Sequence, residues 1–489
     1  MALIFQGQFM GLGDSKWSGP AGSFYRSVGI DGHSIPGALT VQQKLSLESG
    51  TTVTELCLVR VACSNGYSFW FSSTSGKIWA RSSSGTWTLA YTTTATAGGV
   101  ACLGAMEYNG FIFWATESRL HMIAVADADD SWSNAHLNWA NFTCTNPNYH
   151  PMAIQDLTLF IGDGNLVASV DDTVVATDNT SFNDNALDIT AGLIIKTMID
   201  YRIDLLIGTI NATTLNRTQI IDWDCVSPSW NTSDPIDEVG INAFIRDGDY
   251  LYVNAGRAGN IYYYNGSTLA PFQKVPGTYS NTQYGTINPQ AVGNYKGVPI
   301  FGFSNGGGDP ALEGVYSFGA YSKNYPKVLD LSWVISPDVT TGVTIGAILV
   351  ADFDILVAWK YGSSYGVDKI DYANKYANAY FETRFITPTR VLRHILWPRD
   401  EQKVLQQVEA FYASLPANTN ITLSYSINDG AFVAMTGIND TSACKVFAQP
   451  GADQVGSLRI KVGFTVHNND APVMEDLGVT MTGVQSSGR

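Results

Sequence analysis

The sequence lacks the features that would commit it to a membrane or to a nucleic acid. It contains no run of 18 apolar residues, so no membrane-spanning helix is predicted. Its 28 basic side chains are outnumbered by 43 acidic ones, which gives a formal charge of −15. A protein that binds DNA or RNA through charge needs a basic surface to displace counterions, and none is indicated. We therefore expect neither a nucleic-acid partner nor a membrane span.

The sequence also lacks the spacing patterns of metal, disulfide and nucleotide sites. Six cysteines lie far apart without a CxxC pair, which favours their burial as small apolar side chains. No HxxxH pattern, no GxxxxGK[ST] loop and no dinucleotide fingerprint is present, so no metal site and no cofactor is predicted. The first residues carry neither the basic region nor the hydrophobic block of a secretion signal, which indicates synthesis in the cytoplasm.

The composition is typical of an all-β protein. Charged residues make up only 15% of the chain and aromatic residues 12%. The acidic side chains are 33 Asp and 10 Glu, and Asp closes turns through its own backbone whereas Glu favours helices. Short strands joined by tight turns are therefore expected, with the acidic side chains in the loops.

One pattern recurs along the middle of the chain: a short apolar strand, a tight turn and a stronger apolar strand. Seven copies are centred on Phe69, Phe111, Leu157, Leu205, Leu251, Val298 and Ile355. Successive centres lie 42 to 57 residues apart, close to the length of a four-stranded propeller blade. Four of the turns carry a residue-Gly pair suited to a two-residue hairpin, namely Asn65-Gly66, Asn109-Gly110, Asp247-Gly248 and Lys296-Gly297.

This repeat predicts a β-propeller of about seven blades over residues 51–380. The alternative is a long β-sandwich or several small ones, because frequent turns belong to both architectures. The constant spacing favours the propeller, since a sandwich has no reason to repeat every 46 residues or so.

The two ends do not follow the repeat. Residues 1–50 are densely interrupted by Gly and Pro and are interpreted as an extended arm, which could pack along its own ring or reach a neighbouring subunit. Its candidate assembly contacts are aromatic: Phe5, Phe9, Trp17, Phe24 and Tyr25. Residues 381–489 are predicted to form a small β-sandwich, with a hairpin across Asn428-Asp-Gly430. Residues 400–415 fit a helix or a strand, and we favour a strand over 403–412.

At its two ends the sequence resembles virion proteins of tailed bacteriophages that join a β-propeller to a C-terminal β-sandwich. The resemblance lies in GLGDSKWSG, in GIDGHSIPGALTVQQKL followed by TVTELCLVRV, and in VEAFYASLPANTNITLSYSINDGAF. It implies a non-enzymatic structural component of a phage particle, in the tail or tail tip, present in several symmetric copies. Its partners would then be other tail proteins and copies of itself, and its location the virion.

Two further functions are compatible with a propeller. Exposed tryptophans on blade loops could stack on the sugar rings of a host surface glycan, and the candidates are Trp132, Trp139, Trp223 and Trp230. A propeller glycosidase would need two convergent carboxylates near the ring axis. The candidates on or near the inner strands are Glu107, Asp156, Asp200, Asp204, Asp249, Asp352 and Asp354. Most of them sit at hairpin turns, where Asp commonly serves the backbone, so no catalytic residue is predicted.

Overall fold

The computed structural model of the chain describes residues 2–3, 9, 11–13, 22–94, 99–144, 148–211, 217–277, 279, 285–304, 312–320, 327–351, 353–386, 403–435, 445–448 and 454–483. Over these ranges the protein is all-β, with one short 3-10 helix at Val125–Asp127. No helix in the described part is long and apolar enough to cross a membrane. The first five strands are β1 (Ala2–Leu3), β2 (Phe24–Val28), β3 (Ile30–Asp31), β4 (Thr40–Val41) and β5 (Gln43–Leu47).

Seven four-stranded antiparallel sheets occupy the middle of the chain. Sheet 1 contains β6 (Cys57–Ala62), β7 (Ser68–Ser72), β8 (Lys77–Arg81) and β9 (Trp87–Thr92). Sheet 2 contains β10 (Gly104–Tyr108), β11 (Phe111–Thr116), β12 (Arg119–Ala124) and β13 (His136–Asn141). Sheet 3 contains β14 (Met152–Gln155), β15 (Thr158–Asp163), β16 (Leu166–Val170) and β17 (Phe182–Asp188). Sheet 4 contains β18 (Leu193–Tyr201), β19 (Asp204–Asn211), β20 (Thr218–Trp223) and β21 (Thr232–Ile236).

The remaining three sheets have the same order of strands. Sheet 5 contains β22 (Ile241–Asp247), β23 (Tyr250–Ala255), β24 (Asn260–Tyr264) and β25 (Leu269–Lys274). Sheet 6 contains β26 (Thr286–Tyr295), β27 (Val298–Ser304), β28 (Gly314–Gly319) and β29 (Val328–Trp333). Sheet 7 contains β30 (Val343–Ala351), β31 (Asp354–Tyr361), β32 (Ser364–Lys375) and, as its fourth strand, β5.

The seven sheets close into a ring. The first strand of each sheet contacts the first strand of the next, and β30 of sheet 7 contacts β6 of sheet 1. Strand β5 pairs antiparallel with β32, with Leu45 opposite Ile370. The last sheet is therefore completed by a strand from the beginning of the chain, which joins the two ends of the ring.

Each predicted repeat forms the hairpin of the first two strands of a sheet, and the local sequence explains why. Asn109 and Gly110 have φ angles of 46° and 80°, and Lys296 and Gly297 have φ angles of 52° and 81°. Positive φ at both central residues is what a two-residue hairpin of type I′ requires, and Asn and Gly adopt it readily. The turn residues thus set the register of these strand pairs.

The C-terminal residues form two five-stranded sheets together with β1 and β2. Their own strands are β33 (Tyr380–Thr383), β34 (Lys403–Tyr412), β35 (Asn420–Ile427), β36 (Val433–Ala434), β37 (Lys445–Ala448), β38 (Gln454–Val455), β39 (Leu458–Thr465) and β40 (Met474–Gly483). One sheet has the order β1-β40-β34-β37, with β38 also paired to β34, and the other has the order β2-β33-β39-β35-β36. The preferred strand over 403–412 and the hairpin across Asn428-Asp-Gly430 are confirmed.

The apolar cores lie between neighbouring sheets. One cluster joins sheets 1 and 2, others join sheets 2 and 3, 3 and 4, 4 and 5, and 7 and 1. The largest cluster joins sheets 5 to 7 to the N-terminal segment and to both C-terminal sheets. Large aromatic side chains such as Trp70, Trp114 and Trp223 are fully buried in these layers. Each sheet can bury its apolar faces only against its two neighbours, so a closed ring is the arrangement that leaves no sheet uncovered.

The N-terminal segment packs against its own chain. Strand β2 pairs with β33 of a C-terminal sheet, and the Leu12 amide donates to the Leu329 carbonyl of β29 at 2.8 Å. Of the predicted assembly contacts, Phe9, Phe24 and Tyr25 are buried inside the protein, whereas Phe5 and Trp17 lie outside the described residues. The Phe24 and Phe381 rings are 5.5 Å apart. Phe9, Phe24 and Tyr25 therefore pack within their own chain and are not available to contact a neighbouring subunit.

Candidate functional site

A cavity of about 580 Å³ lies on the axis of the ring, where the first strands converge. Its walls come from β6, β10, β14, β18 and β26 and from the residues just before β14. Most of the lining is apolar, with Met106, Met152 and Met198 among the contributors. The exposed side chain of Asp200, at the end of β18, also lines it, so the cavity reaches the surface at that end. A concave, mainly apolar space with a few polar groups is the usual form of a ligand site.

Irregular pairing shapes the inner strands. The register between the first two strands shifts in sheets 1, 4, 5, 6 and 7. In sheet 4 the extra residue is Lys196 and in sheet 5 it is Asn242. A bulge leaves one residue out of the ladder and redirects its side chain. The bulge in sheet 4 therefore places the polar side chain of Lys196 in the cavity wall, and the bulge in sheet 5 places Asn242 beside it.

Arg60 lies in the cavity wall on β6 without a carboxylate partner in the described part of the chain. Its Nε–H donates to the Ile348 carbonyl oxygen at 3.1 Å, and its backbone N–H donates to Gln290 Oε1 at 2.7 Å. Burial lowers the pKa of Arg60 to about 10, so the group remains protonated at neutral pH. The two terminal amino groups of the guanidinium have no acceptor among the described residues.

Lys196 is the second cation of the cavity, and its side chain is almost completely buried. Its Nζ donates to Asn242 Oδ1 at 2.7 Å and lies 5.5 Å from the centre of the Tyr149 ring. Asn242 is fixed in turn, because its Nδ2 donates to Asn254 Oδ1 and to the Gly256 carbonyl oxygen. Burial lowers the pKa of Lys196 to about 8. No carboxylate of the described residues forms an ion pair with it.

Sequence reasoning missed both cations. Arg60 and Lys196 sit inside apolar strands, where a basic residue usually points to solvent. The available signal was a charged residue within a strand whose other residues are mostly buried. The sequence contains no pattern that predicts the bulge at Lys196, which turns its side chain inward.

The turns between first and second strands lie together on one face of the ring, which we call the hairpin face. Neighbouring tips are joined by contacts: Ser64 Oγ donates to Glu107 Oε1 at 2.5 Å, and Tyr108 OH donates to the Leu157 carbonyl oxygen at 2.5 Å. Asp200 pairs with Arg246 at 3.2 Å in the same way. These contacts hold successive tips in one layer.

The hairpin face carries the most exposed apolar side chains of the described residues. Leu157, Ile203 and Phe353 occupy first-to-second-strand turns and are 73%, 81% and 72% exposed. Val226, in a third-to-fourth-strand turn that falls on the same side, is 85% exposed. These four side chains come from sheets 3, 4 and 7, so the hairpin face bears exposed apolar groups at several points around the ring.

The four predicted glycan-binding tryptophans lie in the cores. Trp132, Trp139 and Trp223 are buried, and Trp230 packs partly buried against the cluster between sheets 3 and 4. The Trp132 ring meets Phe69 edge-on at 5.0 Å, and Trp139 Nε1–H donates to the Val175 carbonyl oxygen at 3.1 Å. A sugar ring cannot reach the faces of the three buried indoles. Residue type alone did not separate exposed from buried tryptophan.

The candidate carboxylates do not converge on the axis. Asp200 is the one carboxylate among the described lining residues of the cavity. Glu107 accepts the Ser64 hydroxyl, and Asp354 pairs with Lys369 at 2.9 Å. Asp156 and Asp249 occupy hairpin turns, and Asp204 is the first residue of β19 directly after such a turn, whereas Asp352 lies outside the described residues. No cluster of three potential metal ligands occurs within the described ranges.

A second cavity, of about 550 Å³, lies between the N-terminal segment, sheet 6 and the C-terminal residues. His33 Nε2 lies 2.8 Å from Ser317 Oγ there. In a catalytic triad a carboxylate accepts a hydrogen bond from the second ring nitrogen of the histidine. Here the buried Nδ1 of His33 has no partner among the described residues, and Asp31 Oδ1 accepts the backbone N–H of His33 instead. Gly362-Ser-Ser-Tyr-Gly366 matches GxSxG but forms the turn between β31 and β32 of one sheet, not a strand-to-helix turn.

The described cysteines form no disulfide. Cys57, Cys63 and Cys102 are buried, whereas Cys144 and Cys225 are half-buried, and Cys444 lies outside the described residues. Burial raises the pKa of Cys102 to about 12. The interpretation as small buried side chains is thus confirmed for three of the six.

No protein-family model matches the chain, and no curated protein is similar to it. Among solved structures, it is similar to the extracellular domain of a hybrid two-component system of B. thetaiotaomicron, with 12% identity and a TM-score of 0.44 over 74% of this chain. It spans 43% of that protein. It is also similar to a streptogramin B lyase, with 9% identity and a TM-score of 0.46 over 68% of this chain and 98% of the lyase. Its similarity to the Dos1 propeller has 12% identity and a TM-score of 0.45 over 68% of this chain and 95% of that propeller. Similarity at this level concerns the fold alone, and the closed order of four-stranded sheets is that of a β-propeller.

Proposed function

We propose that the protein is a non-enzymatic structural component of a bacteriophage particle, in the tail or tail tip, and that it assembles there in several symmetric copies. In this proposal the ring has seven blades and the two C-terminal sheets form a β-sandwich. The observation that carries the proposal is the hairpin face, which bears the exposed apolar side chains of Leu157, Ile203, Val226 and Phe353 and so offers apolar contacts to another subunit.

The position of the terminal segments supports the same proposal. Two of the segments that resemble phage virion proteins, residues 29–45 and 408–432, both contribute to the apolar cluster at the junction of the ring and the C-terminal sheets, whereas residues 52–61 lead into β6 of sheet 1. Strand β2 is hydrogen-bonded into one C-terminal sheet and β5 into sheet 7, so both bodies share one N-terminal segment. A rigid connection of this kind suits a part that must keep its geometry in a large assembly.

The first experiment is co-purification with particles. Quantitative mass spectrometry of purified phage should find the chain at a fixed copy number per particle, as expected for a symmetric component. Finding it only as free monomer in producing cells would contradict the proposal.

The second experiment tests the hairpin face. Leu157→Ser combined with Ile203→Ser should weaken self-association or incorporation at least about tenfold, because each removes an exposed apolar contact. Leu89→Ser is the matched control, since Leu89 is also exposed but lies on the outer strand β9. Equal incorporation of the double variant and the control would remove the hairpin face from the proposal.

A receptor-binding function is the second candidate. The exposed rings of Phe353 and Tyr250 on the hairpin face could stack on a sugar, unlike the buried tryptophans. A glycan-binding assay with the purified protein, repeated with Phe353→Ala and Tyr250→Ala, tests it. Absence of any binding would eliminate this candidate.

A further inference from the structure

The axial cavity has an unbalanced charge. Arg60 and Lys196 lie in its walls, while its one described carboxylate, Asp200, is half-exposed and paired with Arg246 at 3.2 Å. The protein as a whole carries a formal charge of −15, so positive groups are scarce. Two of them nevertheless line this cavity, with Lys196 buried and Arg60 partly buried.

Burying a cation without an anion costs free energy unless a partner compensates for the lost water. Lys196 has one strong acceptor among the described residues, the Asn242 amide oxygen, so its ammonium group keeps donors for another acceptor. Arg60 uses Nε on a backbone carbonyl and keeps both terminal amino groups. The free donors of both side chains are thus available to a ligand.

We propose that the axial cavity binds a small organic anion, whose carboxylate, phosphate or sulfate group is held by Arg60 and Lys196. The apolar body of the ligand would lie against the methionine side chains of the wall, Met106, Met152 and Met198. This site is independent of the proposed role in particle assembly.

The chemistry of the two cations specifies the anionic group. A guanidinium presents parallel N–H donors that match the two oxygens of a carboxylate or phosphate, and the ammonium adds a compact charge. The volume of about 580 Å³ suits a small molecule. The apolar wall favours an anion with a hydrocarbon or aromatic part over a bare inorganic ion.

Isothermal titration calorimetry of the full chain with four probes tests the proposal: benzoate, phenyl phosphate, inorganic phosphate and the neutral benzamide. Benzoate or phenyl phosphate should bind at least about tenfold more tightly than benzamide, because a hydrogen bond to a charged group is lost in the neutral analogue. Tighter binding of phenyl phosphate than of benzoate would assign the anionic group as a phosphate, and the reverse as a carboxylate. No binding of either organic anion up to about 10 mM would overturn the proposal.

Variants separate the site from non-specific attraction. Lys196→Met and Arg60→Gln should each weaken binding of the preferred anion at least about tenfold. Arg202→Gln is the control, because Arg202 is an exposed cation in the hairpin turn of the same sheet as Lys196. Equal affinity of Lys196→Met and the unaltered protein would contradict the proposal.

A pH series keeps the test valid if Lys196→Met fails to fold. Affinity for benzoate should fall from neutral pH to about pH 9, as the Lys196 ammonium group loses its proton, whereas Lys196→Arg should retain affinity because guanidinium groups, including that of Arg60, stay mostly protonated up to that pH. Affinity in the unaltered protein that does not change with pH would show that Lys196 takes no part in binding.

Discussion

Asp330 on β29 offers a test of how completely the junction between the ring and the N-terminal segment excludes water. Its carboxyl group is fully buried, Ser27 Oγ donates to Oδ1 at 3.1 Å, and Oδ2 has no partner in the described surroundings. Burial raises the pKa of Asp330 to about 8, and the nearby Asp31 carboxylate acts in the same direction. The folded protein should therefore hold a neutral Asp330 at neutral pH.

The sign of the pH dependence follows from this proton. In the unfolded chain Asp330 ionises near pH 4, so between about pH 4 and pH 8 the folded state binds one more proton than the unfolded state. The contribution of Asp330 to the free energy of unfolding is therefore fully present below about pH 4 and is lost as the pH rises to about 8. The slope is about 1.4 kcal/mol per pH unit, or roughly 4 kcal/mol from about pH 5 to about pH 8.

Asp330→Asn removes the titration while keeping the shape and a hydrogen-bond acceptor for Ser27. Urea unfolding of both proteins at several pH values should show Asp330→Asn gaining stability relative to the unaltered protein steadily up to about pH 8. The difference between the two proteins cancels the titration of every other group. A stability difference that is constant from about pH 5 to about pH 8 would refute the reasoning, because it would mean that Asp330 is ionised in the folded state.

Asp368→Asn is the matched control. Asp368 is also buried and accepts hydrogen bonds from Ser336 N and Ser336 Oγ, and burial raises its pKa only to about 6. The stability difference for Asp368→Asn should therefore level off above about pH 6.

Three further predictions concern the ring itself. Leu45→Ala in β5 should lower the free energy of unfolding by about 2–5 kcal/mol in chemical denaturation, because the Leu45 side chain is buried. Leu47→Ala in the same strand should change the free energy of unfolding by less than about 0.5 kcal/mol, because Leu47 is exposed. Equal effects of the two substitutions would argue against closure of the ring by β5. Gly104→Ala should cost about 1–3 kcal/mol by the same measurement, because its Cβ would lie 1.7 Å from the carbonyl oxygen of His150, two residues before β14. A neutral outcome would mean that β10 and this segment lie further apart. Trp223→Ala should lower stability by about 3–5 kcal/mol in the same measurement, and a loss below about 0.5 kcal/mol would mean that the Trp223 ring is not packed in the core.

Local sequence was sufficient for two of the four residue-Gly turns and insufficient for the closure of the ring. The loop at Asn65-Gly66 is longer than two residues, and at Asp247-Gly248 the two central residues are Gly248 and Asp249. Asn109-Gly110 and Lys296-Gly297 determine their turns by their own backbone preferences, so these strand pairs could be predicted from adjacent residues. The pairing of β5 with β32 joins residues more than 300 positions apart, and no local pattern encodes it. The sequence alone therefore assigns residues 43–47 to an extended arm, whereas the structure makes them the fourth strand of sheet 7.

The candidate site was less predictable than the fold. Tryptophan serves both cores and ligand sites, and the choice depends on the neighbouring sheet, as the packing of Trp132 on Phe69 shows. The inward direction of Lys196 depends on a one-residue bulge in β18, which changes the side of the strand that faces the axis. Binding residues that depend on register between distant strands are thus the part that sequence patterns do not contain.

A single-particle electron-microscopy reconstruction of the purified chain tests the central claim most directly. A ring of seven radial sheets around an axial cavity is expected, with the N-terminal strand β5 completing the seventh sheet and the C-terminal sheets attached beside sheets 6 and 7. An open arc, a different number of radial units, or a seventh sheet without β5 would contradict it.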